Sequence, residues 1–391
     1  MADHLPDLAA SRPVVHVTTV HPLRDPRIAA KAVPSLRAAG FDARLMARHT
    51  HSETIRMRVA GGVADVPVVA LPTAGGAGGR PSSMERVLVQ RTVWQKLEAL
   101  RPALVHLHDP ELLPLGWRVQ RRLGARVVYD RHEAYDRRPG PAGRALARLE
   151  RWAFGWLDRT VIAEASYAAA LPLGTPRTLV RNYALAPATL PLPKTLPAGE
   201  TPLRLVYAGT VSEARGLTTM LTALRLALDA GHDWHLTLVG RAPLAAERTR
   251  AEAFLRAHAL HDHVTLDGWS AFVPPEAMAP HLAAAHVGLC MLTPHPNYVG
   301  SMPTKLYDYL QHALPFVCSD VPLWHDFATD TRAGLTCRPD DPAALVRAIA
   351  RLTGDAYAHH TTAAVEAARQ YRWETEATKL VALYRDLLAT G

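Results

Sequence analysis

The chain has 391 residues, 48% apolar and 20% charged, which suits a soluble globular protein long enough for two or three domains. No apolar run reaches the roughly 18–20 residues that a membrane span needs, and residues 1–11 lack the basic-then-apolar pattern of a secretory leader, so a cytoplasmic location is expected. Charge is uneven: residues 1–185 hold 27 Lys and Arg against 16 Asp and Glu, a net +11, while residues 186–391 hold 17 against 20, a net −3.

Much of that excess is arginine, as in Arg118, Arg121, Arg122, Arg126 and Arg131. A basic half serves an acidic substrate, an anionic membrane surface or nucleic acid, or is a plain solvated face. No nucleic-acid partner is expected, because the arginines lie along predicted helices without the interleaved aromatics of a single-strand binder. Cys290, Cys318 and Cys337 lie far apart and read as buried thiols, with no spacing for a metal or redox pair.

Along the chain, short β-branched apolar runs alternate with helical periodicity, which predicts parallel sheets covered on both faces. Strands are expected at 14–20, 43–47, 66–71, 104–108, 126–129 and 160–163, with helices such as 28–39, 84–100 and 112–123 between them. Gly40 and Gly124 follow two of these helix ends. The stretch 74–80 is glycine-rich and reads as a loop. Residues 185–202 then carry five prolines and one glycine with little periodicity, as in an interdomain linker. The alternation resumes with strands at 203–208, 235–239, 264–266, 287–292 and 315–318. Helices follow at 217–229, 244–259, 275–285, 304–311 and 343–352, and a final helical pair at 357–371 and 374–388. Two tandem doubly wound domains are the economical architecture, with ligands at the carboxyl ends of the strands.

Four segments could carry chemistry. At 207–216, YAGTVSEARG places Gly209 and Thr210 at a strand end and Arg215 before a helix, a place where backbone N–H groups and a fixed cation can meet phosphate. At 297–310, NYVGSMPTKLYDYL runs through Gly300, Ser301, Met302, Pro303 and Thr304 into a predicted helix. There Lys305 and Asp308 share a face, either as an ammonium for a diphosphate and a carboxylate for ribose, or as a surface ion pair. Lysine occurs only five times in the chain, so its use at 305 is informative. In the first half, VHLHDPE and VVYDRHEAY put His108, Asp109, His132 and Glu133 just past strand ends, where they could position or deprotonate a hydroxyl. HPLRDPRI follows the first strand. Its Asp25 and Arg27 either cap the next helix or, with His21, line an acceptor pocket.

Together these segments, with LTLVG (ending in Gly240), VTLDGW and SMPTKLYDYLQHALPFVCSD, resemble the GT-B glycosyltransferases, most closely the retaining enzymes of glycosyltransferase family 4. The last segment, similar to an s-x-P-x-K-l-f-E-Y-m-a-x-G-x-P-v pattern, is the most specific. The resemblance implies two Rossmann-like domains facing each other across a cleft. The acceptor domain would be 1–185 with helix 372–391 packed back on it, the linker 186–202, and the donor domain 203–371. It implies a nucleotide-diphosphate sugar as co-substrate, held near Gly209, Thr210, Gly240, Arg215, Lys305 and Asp308, with His132 by the transferred sugar and neither metal nor cofactor. The catalytic residues would be His132, Arg215 and Lys305. The acceptor would be a saccharide or lipid-linked glycan, with peripheral contact to an anionic inner membrane face. The chain departs from the family pattern at Gly300, where a glutamate is usual, and at Thr210 with Arg215, where many members have an Arg–Lys pair. An epimerase of the same fold and a sugar-nucleotide-binding protein without turnover remain alternatives. A dinucleotide oxidoreductase does not fit, since no G-x-G-x-x-G follows either first strand.

Overall fold

The computed structural model describes residues 12–59, 62–72, 83–135, 140–196, 201–295 and 299–389; the glycine-rich 74–80 lies outside them. The chain divides into two compact units, Met1–Asn182 with Trp373–Gly391, and Tyr183–Arg372.

The first unit is built on β1 (Val14–Val17), β2 (Ala43–Arg48), β3 (Glu53–Val59), β4 (Gly62–Leu71), β5 (Leu104–Leu107), β6 (Arg126–Arg131), β7 (Arg159–Ile162) and β8 (Arg177–Leu179). They form one sheet in the order β3-β4-β2-β1-β5-β6-β7-β8. Every pairing is parallel except β3 with β4. β1 (VVHV) and β5 (LVHL) are buried at every position, as expected for strands sandwiched between helices. On one face Val15, Val17, Leu107 and Val127 join a core with residues of α2 (Ser83–Leu100), α3 (Leu113–Leu123) and α4 (Gly140–Ala153). On the other, a π-helical segment Pro26–Ala32 runs into α1 (Val33–Ala38).

The second unit has six parallel strands, β9 (Leu203–Ala208), β10 (Trp234–Val239), β11 (Val264–Asp267), β12 (Val287–Cys290), β13 (Phe316–Ser319) and β14 (Gly334–Cys337). Their order is β11-β10-β9-β12-β13-β14, that of a Rossmann sheet, which reverses direction between β9 and β12. Its helices are α5 (Leu217–Asp229), α6 (Ala245–Ala257), α7 (Pro275–Ala284), α8 (Thr304–Leu310), α9 (Pro322–Thr331), α10 (Pro342–Leu352) and α11 (Tyr357–Gln370). Alternate residues of β9 enter opposite cores: Leu205 and Tyr207 on one face, Val206 and Ala208 on the other. The last helix, α12 (Trp373–Ala389), belongs to the first unit, where Trp373 Nε1 donates to Ser35 Oγ at 2.8 Å.

Several elements differ from the sequence reading. Strands β3, β8 and β14 and helix α9 had no counterpart in it. The predicted strands 14–20 and 287–292 stop at Val17 and Cys290, where the chain leaves the sheet for loops. The helix expected from 28 begins as a π-helix at Pro26, because the Asp25 carboxylate accepts from the amides of Arg27 and Ile28. The proline-rich stretch is not a free linker in its described part. Lys194 Nζ donates to the carbonyls of Leu282, Ala283 and Ala285, closing the C-terminal end of α7. All three cysteines are free and buried.

Candidate active site

In the second unit the predicted donor residues gather where β9 and β12 diverge. β9 ends at Gly209, whose φ of +118° is unfavourable for any residue with a Cβ, and whose N–H donates to Val239 O. Gly240 ends β10 at φ +138°, and a Cβ there would lie 2.1 Å from Gly209 O. Its role is therefore to let two strand ends lie side by side. Thr210 is exposed beyond Gly209, and its carbonyl accepts from Tyr207 Oη at 2.7 Å. Arg215, half-buried, closes a 3-10 turn before Gly216 (φ +80°), where a Cβ would strike Met291 O at the end of β12.

Lys305 comes off the loop after β12 and reaches back under β9. It is 7% exposed, and its Nζ lies 3.4 Å from the centroid of the Tyr207 ring. A Cβ on Gly209 would lie only 3.7 Å from that ammonium. Among the described residues no group hydrogen-bonds the Nζ. It forms no ion pair with Asp308, so the surface-pair alternative does not hold for the lysine. Desolvation lowers its pKa to about 7, and the neighbouring Arg215 pushes the same way. Asp308, one turn on, is half-buried. Gly300, Ser301, Met302 and Pro303 form the half-buried approach to α8, and Thr304 is exposed. Pro303 occupies the N-cap of α8. Trp324 of α9, fully buried, donates its Nε1–H to Ser301 O at 2.8 Å and so holds that approach in place.

In the first unit the polar residues also collect where strand order reverses, after β1 and β5. His16 of β1 and His106 of β5 are register partners and stack at 4.6 Å; His108 stacks on His106 at 4.7 Å. His16 Nδ1 and His108 Nε2 are 2.9 Å apart, and Tyr384 Oη from α12 bonds both His106 Nδ1 and His16 Nε2. Burial lowers the pKa of His16 and His106 well below the usual histidine value and that of His108 to about 3, so all three are neutral.

Asp130 of β6 links this interior to the surface. Its carboxylate takes a bidentate pair from the Arg27 guanidinium at 2.7 and 2.8 Å, and its Oδ2 lies 3.3 Å from His108 Nδ1 and 3.7 Å from His132 Nδ1. Burial alone would raise the Asp130 pKa, but Arg27 and the two histidines hold it well below the carboxylate range. Burial opposes charge on His132 as well, yet the adjacent Asp130 carboxylate outweighs it and raises its pKa. His132 Nε2 meets His21 Nε2 at 2.9 Å, so one proton lies between two partly exposed imidazoles.

The predicted acceptor-side residues thus separate into two groups. His21, Asp25, His132 and Glu133 reach the surface. Arg27, His108 and Asp109 are buried. Arg27 is held by Asp130 and Val180 O, and Asp109 anchors the turn after β1 through Thr18 Oγ1 and the amide and hydroxyl of Thr19. Sequence reasoning missed His16, His106, Asp130, Tyr207 and Tyr384. The available signal was a histidine interrupting each of two four-residue apolar strands.

Two groups of side chains bring metal-ligand atoms within 4.8 Å of one another among the described residues: His106, His108 and Asp130, and the surface trio His49, His51 and Glu53. In the first, Asp130 already neutralises Arg27, so an added cation would lie against a guanidinium. In the second, His49 and Glu53 are paired with each other at the surface.

Residues 27–184 match the model of the glycosyl transferase 4-like domain, and residues 202–355 that of the glycosyl transferases group 1. The chain belongs to the group 1, family-4-like glycosyltransferases. No curated protein sequence matches this glycosyltransferase. Among solved structures it is similar to sucrose-phosphate synthase from Thermosynechococcus elongatus, with TM-score 0.74 and 18% identity over 97% of this chain and 100% of that one. It is also similar to HepE of Anabaena in complex with UDP-glucose, with TM-score 0.69 and 12% identity over 96% and 99%. The catalytic domain of starch synthase IV from Arabidopsis thaliana bound to ADP and acarbose gives TM-score 0.65 and 13% identity over 97% and 100%. These likenesses place the glycosyltransferase in the GT-B fold class, with two Rossmann-like domains.

Proposed function

We propose that this glycosyltransferase moves a sugar from a nucleoside diphosphate sugar to a hydroxyl of a saccharide or lipid-linked glycan, with retention at the anomeric carbon and without a metal ion. The observation that carries the donor assignment is Lys305: a buried amine with no hydrogen-bond partner among the described residues, beside a strand-end glycine. A buried polar group left unsatisfied is costly, and an anion at Gly209 would supply what it lacks. The nucleoside diphosphates named with HepE and starch synthase IV fit the same chemistry.

With a diphosphate bound, Lys305 is an ammonium and Arg215 a second cation facing charge that grows on the leaving group. That is the electrostatic work a metal does elsewhere. The acceptor oxygen forms its bond to the anomeric carbon on the face the diphosphate leaves, and its proton passes to the departing phosphate oxygen. On the acceptor side, the His132 N–H now shared with His21 is the donor available to a sugar or acceptor oxygen. Asp130 sustains its charge, and Arg27 and His108 fix Asp130.

Lys305→Ala and Arg215→Ala should each lower turnover by about 10²–10³ while the melting temperature holds. Undiminished turnover in both would remove the donor assignment. Incubation with donor alone should leave the sugar unchanged, whereas an isomerised sugar nucleotide would identify an epimerase.

A further inference from the structure

Helices α3 and α4 present an aromatic and basic surface that the transfer reaction does not use. Trp117 of α3 is 40% exposed and Trp152 of α4 is 46% exposed, yet their rings are 6.2 Å apart and Trp152 meets Trp156 at 5.4 Å. Three indoles from segments about 35 residues apart therefore form one cluster, in which Trp117 and Trp152 are exposed and Trp156 is half-buried against the core. Around it stand six exposed arginines. Arg118, Arg121 and Arg122 lie on α3. Arg144, Arg148 and Arg151 follow each other at helical spacing on α4, next to Trp152. The Arg121 guanidinium sits 5.0 Å over the Trp117 ring, and Arg118 covers Trp94 at 3.7 Å.

The two helices contain one acid, Glu150, which is 2% exposed and bound to Arg131 and Tyr129. No ion pair neutralises any of the six arginines among the described residues.

We infer that this face is a docking surface for an anionic lipid bilayer. Exposed tryptophans in mutual contact are unusual on a soluble surface, and their amphipathic rings suit the depth of lipid headgroups. Arginines without an ion-pair partner are drawn to anionic lipid and act within about one Debye length of it. The indoles meet at 57° and 61°, packing against one another as a wedge. They do not present the parallel faces on which nucleic-acid bases stack. No helix among the described residues is long and apolar enough to cross a membrane, so the contact is peripheral.

The test is sedimentation of the full chain with phosphatidylcholine vesicles, with and without phosphatidylglycerol, at low and raised salt. The wild type should partition onto the anionic vesicles and be released by salt. Arg144→Gln/Arg148→Gln/Arg151→Gln should lose roughly a hundredfold in partition, and each single change about fivefold. Trp117→Ala/Trp152→Ala should weaken binding at both salt concentrations. All variants should keep the wild-type melting temperature and turnover on soluble donor. Equal partition onto the two vesicle types at low salt, or an undiminished triple variant, overturns the inference. So does arginine-dependent binding to RNA or polyphosphate without binding to vesicles, which would assign the face to a soluble polyanion.

Discussion

His16, His106 and His108 share an interior that water does not reach, and each keeps its ring neutral there by hydrogen bonding to another ring or to Tyr384. In the unfolded chain each titrates near about 6.5, whereas in the fold His108 stays neutral to about 3 and the other two are likewise depressed. The unfolded state therefore takes up protons that the fold refuses, so stability declines as pH falls below about 6.5, by up to about 1.4 kcal/mol per pH unit for each histidine. His132 has the opposite sign, since its pKa is raised and its contribution is present in acid and lost as pH rises through the folded value. Three depressed groups outweigh one raised group. The melting temperature should drop steadily between about pH 7 and about pH 5, and His108→Gln should show a shallower slope whatever its absolute stability. A melting temperature flat across that range would mean that the interior rings charge within the fold. None of this was legible in the sequence, which displays a histidine in a strand but not the histidine beside it in the next strand. Lys305 was legible as a rare lysine at a loop–helix junction; its burial under Tyr207 was not, because that contact depends on a strand about a hundred residues earlier.

At the scale of elements, the readable strands are those buried on both faces, such as VVHV, LVHL and LRLVYA, whose apolar runs leave little choice. β3 was missed because it is an edge strand, ETIRMRV, with exposed Thr54, Arg56 and Arg58 on its outer face. β8 is three residues long and β14 begins at Gly334, too short or too weak in propensity to stand out. Helix α9, PLWHDFATDT, was also missed, although it carries the tie to Ser301 O. Trp324→Phe should keep an aromatic ring in the core while removing the N–H that holds Ser301 O, at a cost of about 1 kcal/mol. The approach to α8 would then be held less firmly, and nucleoside diphosphate affinity should fall by more than the change in stability alone implies. Binding equal to wild type, measured by calorimetry on the folded variant, would show that this tie plays no part in the donor site.

Over the whole molecule, alternation of apolar runs with helices was enough to read two doubly wound sheets, because that periodicity is repeated a dozen times. What it could not give is strand order, and strand order locates the chemistry. Each sheet reverses direction once, between β1 and β5 and between β9 and β12, and at each reversal the loops splay and polar groups collect. The first carries an interior of neutral histidines leading out to a charged His132. The second carries a desolvated lysine with no hydrogen-bond partner among the described residues. The account rests on that lysine gripping a diphosphate, and its pKa of about 7 makes the grip pH-dependent. A neutral amine does not attract an anion, so binding above about pH 7 requires proton uptake, and affinity should fall by up to tenfold per pH unit. Calorimetric titration of the tightest binder from a panel of nucleoside diphosphate sugars, into wild type and Lys305→Ala on both sides of that pH, is the decisive measurement. The wild type should bind more weakly at the higher pH and take up a proton on binding, and the variant should bind weakly at both; equal affinity and equal pH dependence in the two proteins would contradict the assignment of Lys305 to the donor.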